Sequence, residues 1–298
     1  MAKADGTRPI RVALIQMRMS PDPDANVAQA QKRITDAAKH GAQVVCLPEL
    51  YRSLYFPQTE DADNFALAEP VPGPTSRAMS ALAKKHKMVI VAPVFEKRAQ
   101  GVYHNSALVF DADGRMAGHY RKMHIPDDPE FYEKFYFAPG DLGFPVFDTA
   151  YGRIGVLICW DQWFPEAARL ACLRGAQILF YPTAIGHHDH VDASAWKEQH
   201  TAWETVQRGH AVANGVFVAA VNRVGAEGKL RFWGQSFLSS PFGALRAKGS
   251  VDKEETILAD VDYGEIDRVR HGWPFLRDRR IDAYTHLTLR VIDEVAKH

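Results

Sequence analysis

Cys159 is the residue whose type and position point most directly to chemistry in this chain. The apolar residues 156–158 predict a short buried strand ending at this cysteine, and a helical pattern opens just beyond it at Pro165. A sheet would hold the thiol rigidly, and N–H groups of the helix terminus would favour the thiolate, which is the form that attacks carbon. A lone cysteine is as often a small buried hydrophobe, so this segment alone leaves both interpretations open.

A carboxylate and an ammonium also stand where predicted strands give way to loops. Glu49 follows the apolar residues 44–47 and a proline, and Lys122 closes a strand-like stretch ahead of a proline-rich loop. Each has an ordinary explanation, which is a solvated cap for the glutamate and surface charge for the lysine. Because catalytic groups of sheet enzymes gather at strand ends, the thiol, the carboxylate and the ammonium together favour a catalytic site.

Strands and helices alternate along the chain that must position these groups. Hydrophobic periodicity and turn residues predict strands over 10–16, 43–47, 88–94, 105–110, 177–181, 216–221, 234–239 and 255–261. Helices are predicted over 25–40, 75–86, 165–174 and 194–214. The alternation defines the fold class as α/β. Since no long linker, low-complexity tract or internal repeat interrupts it, we expect residues 1–298 to form one domain.

The composition argues against several other classes of protein. Among 298 residues, 36 Lys and Arg balance 36 Asp and Glu, so no net field attracts nucleic acid or an anionic membrane. The apolar runs are far shorter than the roughly 18 residues needed to span a bilayer. Residues 1–7 lack the apolar core of a signal peptide, and the three scattered cysteines make no disulfide framework or zinc knuckle. We therefore expect a cytoplasmic protein with a free thiol.

Three segments resemble the signature motifs of the nitrilase, or carbon–nitrogen hydrolase, superfamily. They are residues 48–50, 120–126 and 158–161, and matching blocks extend from 12–16 to 277–284 over nearly the whole chain. Members of that superfamily carry a Glu-Lys-Cys triad on a four-layer αββα sandwich. The resemblance therefore implies this fold and assigns the triad to Glu49, Lys122 and Cys159.

Within the superfamily the chain is most similar to the N-carbamoylputrescine amidases. This resemblance implies hydrolysis of a non-peptide C–N bond in a small carbamoyl or amide compound, through a covalent thioester and without a cofactor or metal. It also implies a fourth, acidic group, for which Glu133 is the first candidate and Glu130 the second. A homo-oligomer is expected, with the C-terminal tail of about 263–298 against a neighbouring subunit. The shared segments are 49–51, 55–56, 131–137, 139–143, 181–186 and 271–273.

The loop after residue 186 departs from the amidase pattern. Residues 187–190 read His-His-Asp-His where those amidases continue with Ser/Thr-Glu-Pro. These residue types also suit a metal ion. Adjacent residues rarely converge on one ion, however, and no HExxH or CxxC motif accompanies them, so we expect no metal site.

Side chains near these segments are expected to form the substrate pocket. The predicted border consists of Tyr55, Trp160, Trp163 and His187. The ammonium end of N-carbamoylputrescine would need a negative partner, for which the candidates are Asp189, Asp192 and Glu130. The same machinery could act instead on another N-carbamoyl compound, such as N-carbamoyl-β-alanine, or on an ω-amide. The alternative outside enzymes is a non-catalytic interaction subunit, which has no need of the Glu, Lys and Cys together.

Overall fold

Two six-stranded β-sheets lie face to face between layers of helices in the computed structural model, which describes residues 9–292. The strands are β1 (Ile10–Gln16), β2 (Val44–Cys46), β3 (Val89–Ala99), β4 (Val102–Phe110), β5 (Met116–Arg121), β6 (Val146–Thr149), β7 (Gly152–Val156), β8 (Ile178–Thr183), β9 (Gly186–His188), β10 (Phe217–Asn222), β11 (Val224–Glu227), β12 (Leu230–Trp233), β13 (Phe237–Ser239), β14 (Leu245–Lys248) and β15 (Glu255–Val261). The α-helices are α1 (Pro23–Lys39), α2 (Pro74–His86), α3 (Glu133–Tyr136), α4 (Pro165–Leu173), α5 (Ala193–Asn214) and α6 (Gly264–Gly272). Short 3₁₀ helices occupy Phe56–Gln58, Ala62–Leu67, Cys159–Trp163, Ile281–Ala283 and Thr285–Thr288.

The side chains of β1 explain how the layers stack. The first sheet has the order β15-β1-β2-β3-β4-β5, the second has the order β14-β13-β10-β8-β7-β6, and β11-β12-β9 form a small third sheet. Val12 and Leu14 pack into a core shared with the second sheet, whereas Ala13 and Ile15 pack with residues of α1 and α2. Residues of α4 and α5 pack against the second sheet. This order confirms the predicted four-layer αββα sandwich.

Burial on both faces accounts for the near-continuous apolar strands at the centre of each sheet. Every residue of β2 and of β8 is buried. Gly155 lies in β7 where an added Cβ would meet Leu179 Cδ2 at 2.6 Å and Ala171 Cβ at 3.5 Å. Glycine at this position therefore lets α4 pack closely on the strand that leads to Cys159.

The predicted central strands and helices are present, and the largest differences in their bounds have local causes. The strand predicted over 156–158 is present as β7, but it spans Gly152–Val156 and ends earlier, because the Ile158 N–H donates to the Asp161 carboxylate instead of to a neighbouring strand. The strand predicted over 234–239 begins only at Phe237, since Gly234 and Gln235 have φ values of 55° and 51°. Strand β3 continues to Ala99 in a hairpin whose end is exposed, where apolar patterning gives no signal.

The elements missed by the sequence analysis are mostly very short. Strands β6, β9, β11, β12 and β14 contain three or four residues each. A strand of this length has too few residues for a period to be recognised, and it is stabilised by pairing with segments far away in sequence. The pairing of β9 with β12, for example, joins His187 to Arg231.

The predicted C-terminal tail starts with α6 and continues as two short 3₁₀ helices. Its residues 293–298 lie outside the described residues, as do residues 1–8, on which the expectation about export depends. Over residues 9–292, no helix has the length and apolar character needed to cross a membrane.

Candidate active site

Lys122 lies between two carboxylates in a cluster closed to solvent. Glu49 follows β2, Lys122 follows β5, and Glu133 opens α3, so two strand ends of the first sheet meet a short helix. Lys122 Nζ is 2.8 Å from Glu49 Oε1 and 2.6 Å from Glu133 Oε2, and all three side chains are fully buried. Because buried charges are costly unless they are paired, such a cluster is a candidate for a functional site.

The carboxylate of Glu49 is held by one oxygen only. Its Oε1 accepts hydrogen bonds from Lys122 Nζ at 2.8 Å and from Asn105 Nδ2 at 2.7 Å. Its Oε2 is buried and has no hydrogen-bond partner among residues 9–292. A buried, unpartnered oxygen is unfavourable for folding, so this atom is available to take a proton from a group that enters the site.

The charges of the cluster set its protonation. Burial alone would lower the pKa of Lys122, but the charges of Glu133 and Glu49 outweigh burial and raise it, so the ammonium stays charged. Burial raises the pKa of Glu133, and the charge of Glu49 adds to this effect, against the opposing charge of Lys122. Glu133 therefore holds a proton more readily than an ordinary carboxyl group.

Cys159 comes from the second sheet, on a strained turn after β7. It is the first residue of the 3₁₀ helix Cys159–Trp163 and has a φ of 42°. The left-handed conformation costs an L-residue roughly 1–2 kcal/mol, so the surrounding structure must hold it. The side chain is buried, and its Sγ lies 3.9 Å from the backbone oxygen of Ala184.

Asp161 provides much of that support. Its Oδ2 accepts the Ile158 N–H at 2.8 Å and the Tyr120 hydroxyl at 2.7 Å. Its Oδ1 accepts the backbone N–H of His124 at 3.1 Å. Since Tyr120 and His124 flank Lys122 in sequence, this one carboxylate connects the turn at Cys159 to the strand end that carries the lysine.

The surroundings of Cys159 favour its neutral thiol over the thiolate. Burial raises its pKa well above the ordinary value, the negative charge of Glu49 raises it further, and Lys122 opposes both. Desolvation and the nearby carboxylate therefore act against the thiolate, in the opposite direction to the favourable effect expected from helix-terminus N–H groups. A neutral buried thiol needs a base before it can attack carbon.

The predicted border residues have different surroundings. Tyr55 is buried and donates its hydroxyl to Glu133 Oε1 at 2.7 Å, so it contacts the charged cluster directly. Trp160 is half-buried beside an open cavity of about 480 Å³ that Lys134 and Phe164 also line. Trp163 packs with a buried group that includes Trp203, so its ring belongs in part to the core.

The segment that departs from the amidase pattern begins in β9 of the small third sheet and continues as a turn at residues 189–190. His187 lies in this strand, half-buried, with its ring stacked on Trp196 at a centroid distance of 5.2 Å. Asp189 pairs with Arg231 at 2.5 Å. Asp192 caps α5 by accepting the backbone N–H groups of Ser194 and Ala195.

The two candidates for the auxiliary acid occupy different places. Glu133 contacts Lys122, whereas Glu130 lies 3.0 Å from Lys229 Nζ and 3.4 Å from His188 Nδ1. Glu130, Asp189 and Asp192, which were candidates for the ammonium end of the substrate, are therefore each engaged by a protein group. Within the part of the chain that the structure describes, no group of three or more His, Cys, Asp or Glu side chains could hold a metal ion.

Several residues that support the site were not singled out from the sequence. Asn105 lies within an apolar strand, and Asp161 lies two residues after the nucleophile candidate, but nothing in the pattern indicates which groups they contact. Arg223 follows the apolar strand β10 and is fully buried, with its guanidinium bonded to the backbone of Glu49. The rule that charges at strand ends gather at sites would have identified Arg223 as well.

The chain belongs to the carbon–nitrogen hydrolase family, whose family model matches residues 11–271. A carbon–nitrogen hydrolase from Helicobacter pylori has a similar crystal structure, with a TM-score of 0.93 and 46% identity over 95% of this chain and 100% of that one. An N-carbamoylputrescine amidase of Solanum lycopersicum is 44% identical over 94% of this chain and 95% of its own length. A citrullinase of Francisella tularensis is 39% identical over 93% of this chain and 98% of its own length.

The family and the fold together define the class of protein. The chain is an amidohydrolase that acts on carbon–nitrogen bonds other than peptide bonds. This finding disfavours the alternative of a non-catalytic interaction subunit.

Proposed function

We propose that the chain hydrolyses N-carbamoylputrescine to putrescine, CO₂ and ammonia. Cys159 would be the nucleophile, Glu49 the general base, Lys122 the electrostatic stabiliser and Glu133 the auxiliary acid. The observation that carries the proposal is the closed cluster around Lys122, in which Glu49 keeps one oxygen free. Burial and, next, the charge of Glu49 raise the pKa of the Cys159 thiol, so the thiol needs a base.

The first half of the reaction forms a covalent intermediate. Glu49 Oε2 takes the proton of Cys159, and the sulfur attacks the ureido carbon while the C=O π electrons move to oxygen. Lys122 and the backbone N–H of Trp160 stabilise the oxyanion that develops. The C–NH₂ bond then breaks, Glu49 returns the proton to the leaving nitrogen, and ammonia departs. A carbamoyl thioester remains on Cys159.

The second half releases the product with water. Glu49 deprotonates water, the hydroxide adds to the thioester carbon, and the C–S bond breaks as the sulfur regains a proton. The carbamate formed decays to the amine and CO₂. Glu133 orients Lys122 or the substrate nitrogen throughout. Because these groups complete the reaction without an ion, exhaustive chelation is expected to leave the rate unchanged.

The choice of substrate is supported by the relatives more than by the pocket. The two curated relatives are named for N-carbamoylputrescine and for citrulline, and both compounds carry a ureido group at the end of an alkyl chain. N-carbamoylputrescine ends in an ammonium and citrulline in an amino acid, whereas N-carbamoyl-β-alanine ends in a carboxylate. The half-buried His187 and its neighbour His190 are the candidates to bind a carboxylate end when protonated.

Ammonia release from matched substrates tests the assignment. We expect kcat/KM for N-carbamoylputrescine to exceed that for N-carbamoyl-β-alanine by at least about tenfold, which corresponds to about 1.4 kcal/mol of transition-state discrimination. Citrulline and an ω-amide complete the panel, and a maximum at either would move the assignment to that class. Cys159→Ala should abolish release from every substrate, whereas Cys172→Ala, in the alanine-rich face of α4, should retain it.

The cellular setting is part of the same proposal. A nucleophilic thiol is preserved in a reducing compartment, which supports the cytoplasm. We also propose that the active form is a homo-oligomer.

A further inference from the structure

Arg223 is a fully buried cation placed behind the segment that carries Glu49. It lies between β10 and β11, and its Nη2 donates to the backbone oxygens of Glu49 at 2.7 Å and of Leu50 at 3.0 Å. Leu50 has a φ of 49°, so the chain turns sharply just after the glutamate. The two carbonyl groups converge on one nitrogen, and Arg223 thereby holds a strained turn in place.

Glu227 extends this support to the other side of the site. Its two carboxylate oxygens lie 3.0 and 2.9 Å from Arg223 Nη1. Its Oε2 also accepts the backbone N–H of Tyr55 at 2.6 Å. The Tyr55 hydroxyl in turn donates to Glu133 Oε1 at 2.7 Å. The ion pair therefore contacts the backbone of Glu49, whose carboxylate bonds Lys122, and the backbone of Tyr55, whose hydroxyl bonds Glu133.

The contacts of the Arg223–Glu227 pair are confined to one segment, which indicates a role beyond stability. A buried ion pair can often be replaced by apolar residues without loss of stability, so stability alone does not account for it. Within residues 9–292, the hydrogen bonds that the two side chains make with backbone groups all reach the segment 49–55, at Glu49, Leu50, Ser53 and Tyr55. None of these bonds joins two strands of either large sheet.

We propose that Arg223 and Glu227 form a positioning pair that fixes the 49–55 segment for the reaction at Cys159. This inference rests on the proposed function above. The pair reaches no reacting atom itself. By bonding the backbone of Glu49 and of Tyr55, it fixes the direction of the free Glu49 Oε2 and the position of the Tyr55 hydroxyl. Its loss should therefore lower kcat more than it raises KM, because the chemical step depends on the geometry of the base.

Two variants separate positioning from folding. Arg223→Lys keeps the charge that pairs with Glu227. One ammonium group, however, cannot replace the planar guanidinium, which bonds the carboxylate and two carbonyl oxygens at once. Glu227→Gln keeps the shape and an acceptor for the Tyr55 N–H but removes the charge. We expect kcat for N-carbamoylputrescine to fall at least about tenfold in Arg223→Lys, with KM changed less than about threefold.

The chain offers a matched control in α5. Arg208 also bonds a glutamate four residues away, with Nη1 at 3.0 Å from Glu204 Oε1, and a backbone carbonyl, with Nε at 2.7 Å from Gly243 O. Arg208→Lys makes the same chemical change away from the cluster and should leave kcat within about twofold of the wild type.

A second measurement needs no substrate. The pH midpoint of the alkylation of Cys159 by iodoacetamide, followed by mass, reports whether the Glu49 carboxylate lies beside the thiol. It should move to lower pH in Arg223→Lys but not in Arg208→Lys, because the charge of a correctly placed Glu49 opposes formation of the thiolate. Each variant is assayed well below its own Tm.

The outcomes are distinct. A wild-type protein that neither releases ammonia nor is alkylated at Cys159 would overturn the proposed function itself. An active wild type with folded Arg223→Lys and Glu227→Gln variants of unchanged kcat and alkylation would overturn only the positioning pair. An equal loss in Arg208→Lys, or failure of both variants of the pair to fold, would show that the pair is merely structural.

Discussion

At the scale of single residues, the two oxygens of Glu49 have different environments. Oε1 is fixed by Lys122 and Asn105, and Oε2 is free and buried. This division is what a general base requires, since a carboxylate anchored through one oxygen presents the other at a defined position. Asn105 therefore helps to anchor Glu49, a role that its position in an apolar strand does not indicate.

Asn105→Ala should therefore impair the chemical step without unfolding the protein. Loss of a hydrogen bond to a charged group corresponds to about 1.5–3 kcal/mol, so kcat should fall by about 10- to 100-fold with KM little changed. The neighbouring Ser106 donates its hydroxyl to Glu96 Oε2 at 2.6 Å and is a matched control on the same strand. Steady-state ammonia release measures the effect. An equal loss of activity in Asn105→Ala and in the control Ser106→Ala would contradict this role of Asn105.

The pH dependence of the thiol provides a second test at this scale. The charge of Glu49 raises the pKa of Cys159 and the charge of Lys122 lowers it. Removing the carboxylate in Glu49→Gln should therefore move the alkylation midpoint of Cys159 to lower pH, and Lys122→Met should move it to higher pH. Both variants should lose turnover.

Alkylation by iodoacetamide across a pH series, read by mass at Cys159, measures these midpoints. Shifts of the same sign in the two variants would mean that the charges do not act on the thiol as described. Cys172 serves as an internal reference, because burial raises its pKa to about 12.

At the scale of elements, the small sheet β11-β12-β9 joins the charged cluster around Lys122 to the loop expected to border the substrate. Phe232 of β12 packs edge-on against Tyr55 at 5.9 Å between ring centroids, and β9 carries His187 on the other side of β12. Glu49 and Lys122 follow strands of the first large sheet, and Cys159 follows a strand of the second. A change in β9 should therefore affect substrate binding more than the reactivity of the thiol.

Gly186→Ala tests this separation. An added Cβ would lie 2.1 Å from the backbone oxygen of Arg231, so β9 must shift away from β12. We expect KM for N-carbamoylputrescine to rise, while the alkylation rate of Cys159 stays close to that of the wild type. Gly209→Ala is the control, because a Cβ there meets nothing within 4 Å in the helix α5. A changed alkylation rate in Gly186→Ala would show that β9 supports the cluster directly.

At the scale of the whole molecule, apolar side chains are concentrated on the exposed C-terminal tail. Ile281 is 72% exposed, Leu287 64% and Val291 68%. Single exposed apolar residues are ordinary, but a contiguous group of them is typical of a surface that another chain covers. This feature supports the prediction that the tail contacts a neighbouring subunit.

The double variant Ile281→Ser and Leu287→Ser should weaken self-association and leave the fold of the protomer intact. Sedimentation velocity across a dilution series measures the change in oligomer. Val102→Ser, at an exposed position on β4, is the control and should associate like the wild type. A wild-type protein that is monomeric at all concentrations would contradict the predicted homo-oligomer.

The sequence by itself determined the α/β class and where the main candidates stand in the chain. Strand β15 has the predicted bounds, and Glu49 and Lys122 follow strand-like segments as expected. These are local properties, because the period of apolar residues and the residue that ends a strand are both readable over a few positions. The family resemblance added the four-layer arrangement and pointed to Glu133.

Only the tertiary structure decided which charges meet. Glu133 and Glu130 are three residues apart, yet one contacts Lys122 and the other Lys229. The contacts of Asp161, Arg223 and Asn105 with the site depend on strands that are distant in sequence but adjacent in the sheets. The pKa of Cys159 likewise follows from burial between two sheets, which no local pattern contains. Electrostatic partners are set by distances through space, and those distances exist only once the sheets have paired and stacked.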